Sequence, residues 1–297
     1  MNESDMKLAV LKAEDTLYKY LPGEDGYART VASAMNYSVK VGGKRLRPIF
    51  MYETYRLFGG EGEVIEPFMA AIEMIHTYSL VHDDLEAMDN DAFRRGRKTT
   101  HVIYGEGIAI LAGDGLLNLA FETAIKAFDV KGADRGKVIE ALKILSSKSG
   151  LDGMLGGQAC DVDAEEKKRA LDMDELKFIH ANKTGALIQS SMMIGALLAG
   201  ADDKDMKKIE ELSLLVGTAF QIEDDILDVE GDVRTTGKPK GSDAKNNKIT
   251  YVTLRGLEGA KEDAREMSTQ AIKIYDSIGK KNDFLRELLI SMIGRTK

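Results

Sequence analysis

Two acidic clusters define the chemistry this chain could perform. The first lies in Tyr78–Thr100, YSLVHDDLEAMDNDAFRRGRKTT, where Asp83, Asp84, Glu86, Asp89 and Asp91 are followed closely by Arg94, Arg95, Arg97 and Lys98. The second is FQIEDDILD at 220–228, with Glu223, Asp224, Asp225 and Asp228. Crowded carboxylates repel and raise one another's pKa. A divalent cation removes that penalty, and a ligand rich in phosphate oxygens joins the cation to the arginines. Hard oxygen donors, with water completing an octahedron, suit Mg²⁺ better than zinc. The ordinary alternative for the first cluster is a solvated charged loop. For the second it is an acidic solvent face, but Phe220, Ile222, Ile226, Leu227 and Val229 leave little polar surface to host one.

Spacing refines this picture. Asp224 and Asp228 are four residues apart, about 40° around a helix, so they share a face, with Asp225 on its flank. Asp83 and Asp84 do not share a face with Asp89 at helical spacing. The first helix is therefore expected to end near residues 85–87, with Asp89 returning on a loop. Helix C-terminal partial charge would favour a cation there. Lys44, Arg45 and Arg47 follow Gly42-Gly43, where backbone can approach an anion closely. Basic residues at a helix start oppose the macrodipole, which favours ligand binding over a plain basic helix end. His76 stands two turns before Asp83; a lone histidine on an apolar helix is more often a packed core residue, and His82, His101 and His180 are read that way. Lys183 and Thr184 beside Gly185 mark a point where a π-bulge or kink could aim side chains inward. Gln158 and Asp161 are read as secondary organisers, and Cys160 as buried and inert.

These groups need long elements to hold them. The chain has 297 residues, 43% hydrophobic and 30% charged, as a soluble globular chain would. Proline is absent between Phe68 and Lys238, and apolar residues recur at helical spacing. Helices are expected near 5–20, 27–41, 47–58, 64–85, 106–128, 136–162, 174–199, 205–230, 249–277 and 282–293, with no strand. The expected fold is all-α, about ten mostly antiparallel helices bundled around a large central cavity. It forms one domain over 1–297, with a flap-like loop at 231–248. Interior glycines at 113, 115, 185, 195 and 217 cost helix stability, roughly 1 kcal/mol each against alanine, and imply close packing or room for a ligand. The net charge of −8 argues against a nucleic-acid partner. A single cysteine fits a reducing cytoplasm. No apolar stretch approaches ~20 residues, so neither a secretory signal nor stable membrane insertion is expected.

The motifs GGKRLRP (42–48), HTYSLVHDDLEAMDNDAFRRGR (76–97), LAGDGLL (111–117), GGQACD (156–161), KTGAL (183–187), FQIEDDILD and GKPKGSD (237–243) occur in one order. In them the chain resembles the trans-isoprenyl diphosphate synthases, bacterial short-chain farnesyl and geranylgeranyl type, almost end to end. The resemblance implies a homodimer and three Mg²⁺ per site, with Mn²⁺ able to substitute. Asp83, Asp84 and Asp89 would hold two of them, and Asp224 with its neighbours Asp225 and Asp228 a third. Arg94, Lys183 and Lys238 would contact the allylic diphosphate. Gly43, Lys44, Arg47, His76 and Arg95 would hold isopentenyl diphosphate. Lys183, Thr184 and Gln221 would serve catalysis, the last two facing the developing cation.

Glu86 departs from the proline frequent at that position in bacterial members. Tyr78, five residues before Asp83, resembles the bulky residue that floors the tail pocket, which implies farnesyl diphosphate as product. The neighbouring Ser79 is small and keeps geranylgeranyl diphosphate as the alternative. A terpene cyclase lacks the paired isopentenyl-site cations. A non-catalytic regulatory subunit would not need the full set of aspartates, and a metal buffer would not need the arginines.

Overall fold

The computed structural model describes residues 3–167, 169–230 and 249–293. Its inner helices are those with the least polar sequences. Helix α4 (Glu66–Asp83) opens with Pro67, where no amide donor is needed, and is buried along almost its whole length from Phe68 to Val81. Helix α10 (Ala186–Ala199) is buried nearly all round and ends at Gly200, whose left-handed backbone stops it. Around them stand α1 (Glu3–Tyr18), α2 (Arg29–Lys40), α3 (Leu46–Leu57), α6 (Glu106–Ile125), α7 (Arg135–Ser149), α8 (Met154–Glu166) and α11 (Asp203–Glu230). Helix α4 packs on α6, α1 and α3, while α10 packs on α3, α7 and α11. The fold is all-α, as the sequence implies.

Small residues set the spacing between these helices. Ala109, Ala112, Gly113, Leu116, Ala120 and Ala124 form the face that α6 buries, and α4 lies along it. A Cβ on Gly217 of α11 would sit 2.6 Å from the Cα of Gly185, and one on Gly195 would sit 2.3 Å from the Met51 carbonyl. The interior glycines at these points serve close helix packing.

Three local expectations are corrected. A two-residue hairpin joins Phe93–Arg94 (β1) to Arg97–Lys98 (β2), with Phe93 opposite Lys98. Arg95 and Gly96 both take positive φ at its turn, which matches the twist of a tight hairpin. The run expected as one helix over 136–162 breaks at Gly150–Gly153, between α7 and α8. That expected over 249–277 divides at Gly256 (φ 77°) into α12 (Tyr251–Arg255) and α13 (Leu257–Ser277), after which α14 (Asp283–Ile293) follows. The short α5 (Thr100–Tyr104) was not read from the sequence. Between α9 (Met173–Ile179) and α10, His180–Gly185 forms a π-helical turn, at the place where Lys183, Thr184 and Gly185 implied one.

By length and composition alone 106–129 is long and apolar enough to cross a membrane, although its apolar residues form no uninterrupted run of that length. The run contains Asp114, Asn118 and Glu122, all exposed, and its alanine face is buried on α4.

Candidate active site

Asp83 ends α4, and Asp84 caps it. The chain then turns back, so that the Asp89 amide donates to the Asp83 carbonyl at 2.9 Å. Asp89 returns on a loop, as its spacing required. Gln158 on α8 donates from Nε2 to Asp83 Oδ1 at 2.8 Å. Burial, reinforced by the nearby charges of Asp89 and Asp84, pushes the Asp83 carboxyl up to about 6, with Lys183 and Arg94 opposing. Asp84 is buried and accepts from Arg94, at 2.7 Å from Nε and 2.6 Å from Nη2. In this arrangement Arg94 is committed to the first acidic cluster.

Across the cleft, the π turn presents Lys183 and Thr184. Lys183 Nζ donates to Asp161 of α8 at 2.5 Å, and Thr184 Oγ1 donates to Gln221 Oε1 at 2.9 Å. Gly157 gives the turn room, since a Cβ there would meet the Lys183 amide at 2.2 Å. Asp224 and Asp228 are half-buried on α11. Asp225, about 100° away on the helix, is buried differently. Its Oδ2 accepts from the Tyr251 amide at 2.8 Å and lies 3.6 Å from His180 Nε2. That carboxylate holds the junction of α11 with α12. Asp224 and Asp228 share the other face of the second cluster, the face expected to meet a cation. Lys238 and the expected flap over 231–248 lie outside the described residues.

Two cavities meet here. One, of about 450 Å³, is lined by apolar residues including Leu85, Met88, Ile110 and Met154, with Tyr78, Ser79, Asp83, Lys183 and Thr184 along it. The other, of about 420 Å³, is lined by Gly43, Lys44, Arg45, Arg47, Glu73, His76 and Arg95. Arg47 and His76 line both.

The basic cavity is built on a buried ion pair. Arg45, in a left-handed conformation (φ 48°), donates to Glu73 at 2.9 Å, to Glu14 at 3.1 Å and to the Val39 carbonyl at 2.6 Å. Among the described residues Arg47 has no such partner: its Nε is buried without a hydrogen bond. Burial, with repulsion from Arg95, lowers the Arg47 pKa to about 10 although Glu73 opposes the shift. Arg47 thus stays charged at neutral pH. Burial and four arginines hold His76 well below the usual histidine range, so it is neutral. Gly43 (φ 144°) lies under the Arg95 guanidinium, which a Cβ would meet at 2.5 Å.

The structure therefore gathers Gly43, Lys44, Arg47, His76 and Arg95 at one cavity, and Tyr78, Ser79, Asp83, Lys183 and Thr184 at the other. Glu73 gains a part the sequence did not give it, as the partner that fixes Arg45, while Gln158 and Asp161, expected as secondary organisers, fix Asp83 and Lys183. The signal for Gln158 and Asp161 was the GGQACD motif at 156–161. Among the described residues no three His, Cys, Asp or Glu side chains form a ready-made metal cage. The donor set still fits a hard cation, because Mg²⁺ is normally bound by one or two carboxylates with substrate phosphates and water, and Asp83 carries under-compensated negative charge.

Residues 28–288 match the polyprenyl synthetase family model. The chain is 46% identical over 251 residues to a farnesyl diphosphate synthase of Geobacillus stearothermophilus, covering 84% of this chain and 82% of that protein. It is 42% identical over 258 residues to a geranylgeranyl diphosphate synthase of Cyanophora paradoxa, covering 87% and 84%. A crystal structure of an FPP/GFPP synthase from Zymomonas mobilis superposes with a TM-score of 0.86 at 32% identity, over 98% of both chains. The chain belongs to the polyprenyl synthetase family, a family of prenyltransferases.

Proposed function

We propose that the chain condenses isopentenyl diphosphate with dimethylallyl and geranyl diphosphates, head to tail, to give farnesyl diphosphate and pyrophosphate. The observation that carries this reading is the junction of an apolar cavity with a basic one at Arg47 and His76. An allylic tail fits the first and a second diphosphate the second, so that two anions lie side by side in one orientation.

The allylic C–O bond breaks, and its electrons leave with pyrophosphate. Lys183 and Arg94 stabilise the departing charge. When bound, Mg²⁺ supplies the remaining neutralisation of the leaving group; Asp83, Asp84 and Asp89 on one side and Asp224 and Asp228 on the other would hold it. Thr184 and Gln221 present oxygen atoms to the allylic cation. The double bond of isopentenyl diphosphate, held by Arg47, Lys44, Arg95 and neutral His76, attacks that cation. A proton then passes to the departing pyrophosphate, and the apolar walls keep water from the cation.

Tyr78 is 8% exposed at the apolar cavity and is its bulky polar-tipped wall. Product analysis with Mg²⁺, labelled isopentenyl diphosphate and dimethylallyl, geranyl or farnesyl diphosphate in turn tests the reading. Fifteen-carbon product with no use of farnesyl diphosphate supports it, and Tyr78→Ala is expected to lengthen the product. Conversion of farnesyl diphosphate by the wild type would favour a geranylgeranyl diphosphate synthase. We also propose a homodimer, because Val102, Ile103, Leu111 and Ile125 leave large apolar side chains exposed on α5 and α6.

A further inference from the structure

We propose that His82 is a product-length determinant, a wedge between Tyr78 and α6 that fixes the depth of the apolar cavity. The proposal rests on the prenyl-transfer reading above. His82 lines the same cavity as Tyr78. Its imidazole meets the Tyr78 ring nearly at right angles, with centroids 5.8 Å apart and planes at 80°. Its Nε2 lies 3.1 Å from the carbonyl oxygen of Ile110, itself a lining residue. A carbonyl only accepts, so Nε2 carries the proton and donates. Helix α6 is cut away to receive the ring: a Cβ on Gly113 would lie 2.1 Å from Nε2.

Three features thus converge on one imidazole: an aromatic neighbour on its own helix, an acceptor on the facing helix, and a glycine that clears its space. A tyrosine stops a growing chain only if its ring cannot swing aside, and an imidazole tied to α6 fills the space beside it. Removing the imidazole opens that space to the tail and lets Tyr78 retreat. Filling the Gly113 notch drives the imidazole the other way, into the cavity.

The test is product analysis of purified full-length wild type, His82→Ala, His82→Gln, Gly113→Ala and Gly107→Ala with Mg²⁺, labelled isopentenyl diphosphate and dimethylallyl diphosphate. A Cβ at Gly107 meets nothing within 4 Å, so that variant controls for alanine in α6. His82→Ala is expected to raise the ratio of twenty-carbon and longer products to farnesyl diphosphate about tenfold or more, the scale on which a pocket reads small differences in size. Gly113→Ala is expected to shift product the opposite way, toward geranyl diphosphate. His82→Gln, whose amide can still donate to Ile110, and Gly107→Ala should keep the wild-type distribution. Unchanged product length in both His82→Ala and Gly113→Ala, or a shift of the same sign in both, overturns the proposal and leaves the prenyl-transfer reading standing. A wild type that makes no product overturns that reading and this proposal with it.

Discussion

Arg47 is a charged group held at a junction of two cavities with its Nε buried and unbonded. An unpartnered buried polar group is a standing cost to the empty protein and a source of affinity once an anion arrives. Arg47→Met is therefore expected to raise the KM for isopentenyl diphosphate about ten- to a hundredfold while leaving the melting temperature equal or higher. A fall in melting temperature with unchanged KM would make Arg47 a scaffold residue. Asp83 gives a pH signature. Its folded pKa of about 6 lies above the ordinary 3.8, so the folded, ligand-free chain holds the proton more tightly than the unfolded one. The associated stability is complete below about pH 4 and is lost as pH rises through about 6. Asp83→Asn should stabilise the ligand-free protein at pH 7 by about 1–2 kcal/mol and flatten stability between those limits, as read by urea unfolding. At this scale the sequence was most legible where ligand residues cluster by charge. It was least legible where the residue is neutral and its role depends on a distant partner. Gln158 is far from Asp83 in sequence, and His82 looked like any packed histidine until Gly113 stood opposite it.

Helices and their interruptions carry the positioning. The long helices were readable because apolar periodicity and missing prolines act locally. The breaks at Gly150–Gly153 and Gly256 were not, because glycine alone does not distinguish a helix end from a close contact. Gly217 shows the contact case: it faces Gly185 across the packing of α11 on the π turn. Gly217→Ala has better helix propensity yet is expected to cost about 1–3 kcal/mol by overpacking. It should also lower kcat by displacing Thr184 from Gln221. A stabilised and fully active variant would show that the two helices separate without consequence. The hairpin was missed for a different reason: two-residue strands carry no alternation to read, and only the left-handed Arg95-Gly96 turn betrays them.

For the whole molecule, the proposed homodimer turns the apolar side chains exposed on α5 and α6 into an interface. The double variant Ile103→Glu with Leu111→Glu, on the outer face of those helices, is expected to give a monomer in sedimentation velocity where the parent sediments as a dimer. A parent that already sediments as a monomer sinks the proposal. The sequence could not show this surface, since α6 is apolar almost all round and only the fold decides which of its faces α4 covers. The junction of the cavities has a thermodynamic consequence of its own. Two ligands that lean on the same Arg47 and His76 are linked: whatever factor the first changes for the second, the second changes for the first. Pyrophosphate left in one cavity alters affinity in the other by a coupling free energy that titration in either order must return with the same value. The enzyme's order of filling is thus a matter of concentrations and rates, because the shared wall gives neither ligand thermodynamic precedence.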